Sequence, residues 1–198
     1  MGAGSQRGFV SALDIASTLK PVSAQAREIS LQAMNAKTIA ARAGQSARAI
    51  QPIADYVDEL SRQVIRLVQQ VEAESIRVTR LALDAFAETR VQAQFARAAR
   101  LGRGARHIAS IAPAAAHAEA QLARAAADLA AHEKSMALVL DEIRTAMMAM
   151  QIATSKFRLE VGAGAEANRA GFEALIEKLE DAVGQIRRAV DASARLLR

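Results

Sequence analysis

Between Ile50 and Ala85 the apolar residues of this chain keep a seven-residue repeat, and that repeat limits the folds open to it. Ile50, Ile53, Val57, Leu60, Val64, Leu67, Val71, Val78, Leu81 and Ala85 follow one another at spacings of three and four, except for one step of seven from Val71 to Val78. Only Glu74 and Ser75 interrupt the pattern, which can be followed to about Arg100. A helix of roughly 50 residues is about 75 Å long at 1.5 Å per residue. No compact globule of 198 residues spans that length. A coiled coil or long bundle is therefore expected.

The remaining punctuation divides the chain around this helix. Met1 to Gly8 reads as a disordered Gly/Ser terminus. A helical pattern from Phe9 to Leu19 must be disturbed at Lys20-Pro21, because the residue before a proline avoids the α region. Helix one proper runs from about Val22 to Ala43, with Ile29, Ala33, Ala36, Ala40 and Ala43 on one face. Gly44 ends it, being the one residue nearby that takes positive φ without strain. Helix two starts near Ile50, with Pro52 in the first turn, where its missing N–H is tolerated.

A second reversal is expected over 101–113, which holds two glycines and a proline. Helix three follows from about Ala114 to Val161, with Leu122, Ala126, Leu129, Met136, Leu140, Ile143, Met147, Met150, Phe157 and Val161 in register. Its methionines, Met148 included, read as flexible fillers of a helix–helix seam. Gly162-Ala163-Gly164 closes it, and helix four spans about Ala165 to Leu196 on Phe172, Leu175, Leu179, Ala182, Ile186 and Val190. The fold class is thus all-α: one elongated antiparallel four-helix bundle or coiled coil of two hairpins, with short, long, long and short helices. The first hairpin covers 9–100 with its tip near 44–49, and the second covers 114–198 with its tip near 162–165. Both tips then meet at one end. Gln32 to Thr38 can be laid over Gln151 to Phe157, a hint of internal duplication.

Charge and composition exclude several functions. Lys and Arg number 26 against 21 Asp and Glu, with a sequence pI of about 10.2. The basic residues are spread along every helix without interleaved aromatics, which argues against specific nucleic-acid binding. There is no cysteine, so no disulfide framework, and a reducing cytoplasm is the expected location. No run of eighteen apolar residues and no signal-like start occurs, so neither a membrane span nor export is expected. His107, His117 and His132 lack the spacing or carboxylate partners of a metal site, and no thiol or phosphate-cradling loop exists. Neither enzymatic activity nor a cofactor is expected. The acidic clusters Glu72 and Glu74, Asp141 and Glu142, and Glu177, Glu180 and Asp181 suit exposed helix faces.

One stretch carries a more specific signal. Asn35-Ala36, Ala40-Ala41-Arg42-Ala43-Gly44, Arg48, Ile53-Ala54, Val57 and Leu60 align without a gap to the hairpin tip of bacterial methyl-accepting chemotaxis proteins, which the region resembles. The likeness covers about one sixth of the chain. It departs at Ile39, where the family has Glu, at Ala47 and Ala49 for two glycines, at Ile50 for Phe, at Pro52-Ile53, displaced by Gln51, for Val-Val, and at Tyr56 for Glu. The resemblance implies a soluble chemoreceptor-like signalling or scaffold protein. Its tip would contact a chemotaxis histidine kinase, the coupling adaptor or other receptor hairpins, homo-oligomers included. The matching residues are Asn35, Arg42 and Arg48, and Leu31, Met34 and Thr38 share their outward stripe. Loss of the family's Glu at Ile39 favours self-assembly or competitive binding over kinase activation. An alternative is an amphipathic coat protein similar to phasins, lying on a lipid or polymer granule.

Overall fold

The computed structural model describes residues 3–104, 108–164 and 168–197. It is all-α: α1 (Ala3–Leu19), α2 (Val22–Ala43), α3 (Ile50–Leu101), α4 (Ala112–Gly164) and α5 (Arg169–Leu196), with single 3₁₀ turns at Gly44–Ala47 and Ile108–Ile111. No strand occurs among the described residues. Helix α3 has 52 residues and α4 has 53, so each is about 80 Å long. Helix α3 packs on α1, α2 and α4, and α5 packs on the same three.

Local chemistry accounts for the breaks. Pro21 has no N–H to give the preceding turn, and α1 stops at Leu19. The Lys20 N–H still reaches the Ala16 carbonyl, and Pro21 accepts from Gln25 N–H, both at 3.1 Å, so α1 and α2 follow closely on one another. Gly44 has φ 66° and ψ −135°, and its N–H closes on the Ala40 carbonyl. Gly104, with φ 87°, serves the turn after α3.

Cross-helix pairs give the register. Ser30 Oγ donates to Asp58, and Lys37 Nζ lies 2.5 Å from Asp55, so α2 and α3 run in opposite senses. Arg144 stands 2.9 Å from Asp191 and Arg158 2.8 Å from Glu180, which makes α4 and α5 opposite as well. Gln25 donates to Gln185, while a Cβ built on Gly171 would sit 3.7 Å from Ile39 Cδ1. The last turns of α2 and the first turn of α5 are therefore side by side.

The seam contains the expected residues with a few replacements. Ile29, Ala33, Ala36, Ala40, Val57, Val64, Val71, Met136, Met147, Phe157, Phe172 and Ile186 are all buried. Phe157 and Phe172 meet edge to face at 5.7 Å between ring centres. Ser75 does not interrupt the stripe. It is buried, with its hydroxyl 3.5 Å from Met136 Sδ, and the stripe continues through Val78, Ala82 and Ala85. Leu81, expected in that stripe, lies half-buried at its edge, because the three-and-four spacing counted through Ser75 lands on Ala82.

Three other expectations need correction. Residues 3–8 are helical, not disordered: α1 begins at Ala3, because lengthening a helix already formed over Val10–Leu19 needs no new nucleus. Ala126 is exposed, since α5 does not extend along that part of α4. Met148 is exposed too, the turn of about 100° per residue carrying it away from the seam that Met147 and Met150 fill. The expected second tip falls partly on 165–167, outside the described residues.

Candidate partner-binding surface

The C-terminal half of helix α2 buries mainly alanines and turns larger residues outward. Ala33, Ala36 and Ala40 are buried, so Leu31, Met34, Asn35, Thr38 and Arg42, one or two positions away, fall on the opposite side. All five are exposed, with Leu31 at 50% and Met34 at 54%. Arg48, just past the Gly44–Ala47 turn, is exposed as well. Five of these six residues therefore share the outer face of α2, and the sixth, Arg48, is exposed at the start of the next arm.

The surface is mixed in character. Thr38 turns its hydroxyl back to the Met34 carbonyl at 3.1 Å, so the threonine presents its methyl outward. Arg42 lines a shallow cleft with Lys37, Thr38, Ala41, Gln51 and Asp55. Lys37 is held by Asp55, whereas neither Arg42 nor Arg48 forms an ion pair among the described residues. Two guanidinium groups and an amide beside Leu31 and Met34 make a surface suited to an acidic, partly apolar helix. Ile39 is half-buried beside Gly171, so the position that carries Glu in chemoreceptors here serves contact with α5.

A second groove lies between α3 and α4, away from α2. Ala49, Pro52, Ile53, Tyr56, Ala149, Ile152, Ala153, Lys156 and Glu160 line a space of about 490 Å³. Reading α3 as a single apolar stripe misses it, although Tyr56 and Ile152 were visible as large residues off both seams.

The titratable groups hold structure. Against expectation, His132 has a carboxylate partner: its Nδ1 lies 2.5 Å from Glu74, which Arg77 also reaches at 3.2 Å. The pair joins α3 to α4, and among the described residues no cluster of three metal-ligating side chains occurs. His107 lies outside the described residues. Hydrogen bonding to Asp191, with a second bond to Asp141, raises the pKa of Arg144 above its ordinary value.

Burial raises the pKa of Glu133 above its ordinary value. A raised folded-state pKa favours the neutral acid, so its contribution is full below the unfolded pKa and is lost as pH rises through the folded one. Glu133→Gln should therefore gain stability relative to the unmodified chain between about pH 4 and 7. Urea midpoints of both proteins at the two pH values check this; a constant difference would refute it.

No protein-family model, no curated protein and no solved structure matches the chain. None of its helices, among the described residues, is long and apolar enough to cross a membrane.

Proposed function

We infer that this chain is a helical signalling or scaffold protein of the bacterial cytoplasm that binds protein partners through its Gly44 tip. In this reading it is an antiparallel bundle of two hairpins, short, long, long and short. The order of the Ser30–Asp58 and Lys37–Asp55 pairs, that of Arg144–Asp191 and Arg158–Glu180, and the meeting of Ile39 with Gly171 support that arrangement. The observation that carries the function is the exposure of Leu31, Met34, Asn35, Thr38 and Arg42 along one face of α2, with Arg48 exposed just past the turn. The chemoreceptor resemblance marks Asn35, Arg42 and Arg48 for contact with a histidine kinase, its coupling adaptor or another hairpin, and Leu31, Met34 and Thr38 lie on the stripe beside them.

The test is a pull-down with a chemotaxis coupling adaptor. Asn35→Ala and Arg42→Ala should each lower recovery about tenfold, the ~1.4 kcal/mol expected of a residue central to a contact. Recovery equal to that of the unmodified chain would remove the surface. A coat protein similar to phasins is the second reading, favoured by the exposed apolar residues Leu138, Ile152 and Leu159. Sedimentation with anionic vesicles separates the two, since the tip reading expects none.

A further inference from the structure

Opposite the seam that α4 buries, a second heptad runs down its outer face. Leu138, Thr145, Ile152 and Leu159 recur every seven residues, with Met148 beside them. Leu138 is 60% exposed, Ile152 72% and Leu159 73%. Scattered surface leucines are ordinary, but a stripe in coiled-coil register over about 32 Å has the form of a helix–helix seam lacking its second helix. This face belongs to a different helix from the α2 stripe, so either reading can fail alone.

The charges identify the missing helix. Invert the stripe upon itself about the point between Met148 and Ala149. Leu138 then faces Leu159, Thr145 faces Ile152, and Lys156 faces Asp141 with Glu142 next to it. Glu142 and Lys156 form no ion pair among the described residues, although Asp141 is 3.1 Å from Arg144. The acid and the base stand at nearly equal distances on either side of the midpoint, which is what a twofold axis requires. Ala149 at that midpoint permits close approach, and a shallow groove lined by Tyr56, Thr145, Ala146 and Ala149 offers a seat for an incoming Ile152. We propose that α4 of a second copy of this chain packs antiparallel on this face, forming a twofold-symmetric dimer.

A contact this narrow belongs to the weak, reversible class, so the full chain is studied by sedimentation equilibrium from about 10 µM to 1 mM. The expected species are monomer and dimer. Ile152→Asp should be monomeric throughout, with helicity and melting unchanged because the side chain is solvent-facing. Glu142→Lys and Lys156→Glu should each weaken the dimer about tenfold, since symmetry places two altered pairs in every dimer. An equimolar mixture of those two variants should recover the original affinity, because lysine faces glutamate at both ends of the heterodimer. A chain monomeric at the highest concentration overturns the proposal. So does a dimer indifferent to Ile152→Asp, a failure of the two charge variants to rescue one another, a larger oligomer, or a monomer that sediments with anionic vesicles.

Discussion

Phe157→Ala should destabilise the chain by about 3–5 kcal/mol, the range for emptying a fully buried phenylalanine site. The effect is large because of its surroundings. Phe157 and Phe172 bring α4 and α5 together edge to face, both fully buried, close to where Ile39 of α2 meets Gly171. The α2 arm nearby contributes mainly Ala33, Ala36 and Ala40, whose methyl groups cannot reach into a void. At roughly 2–4 °C per kcal/mol for a chain of this size, the melting temperature should fall by about 10 °C. Phe157→Leu, which keeps most of the volume, should cost about 1 kcal/mol. Calorimetry of both variants checks the pair, and equal losses would show that this end of the core is not tightly packed.

The second large effect separates two glycines that look alike in sequence. Gly44 and Gly162 both have open space where a Cβ would stand, yet only Gly44 has positive φ. With ψ at −135°, Gly44 occupies backbone territory nearly closed to other residues, so Gly44→Ala should cost about 1–3 kcal/mol. Gly162 is helical, and Gly162→Ala should be stabilising by about 0.5–1 kcal/mol. Denaturant midpoints moving in opposite directions are the expected result. A neutral Gly44→Ala would mean that the reversal does not depend on that conformation.

Much of this architecture was legible because its determinants are local. Pro21 forbids continuation, Gly44 permits reversal, and the apolar repeat of α3 announces a helix too long for a globule. Features that depend on relative register were hidden. Glu74 appeared as a fault in the heptad, and only the alignment of α3 with α4 reveals His132 as its partner. Ser75 could be placed in the seam only once Met136 was known to lie across from it. Helix α4 is ambiguous for a different reason: with alanine and methionine on many sides, its two apolar stripes nearly cancel, so the sequence does not show that Met148 belongs to the outer one. The outward stripe of α2 is legible because Ile29, Ala33, Ala36 and Ala40, at spacings of three and four, mark the opposite, buried face.

Asp58 has a mechanical consequence. It is buried on α3, held by Ser30 from across the hairpin and by Arg62 at 2.5 Å from its own helix. Sliding α2 by one turn, about 5.4 Å, would carry the hydroxyl out of reach and strand an occluded carboxylate with a single partner, at a cost of about 1–3 kcal/mol. Piston-like shear between these two arms is thus opposed by a latch. A force applied at the far end of the rod would reach the Gly44 bend as tilting or twisting of the hairpin as one piece.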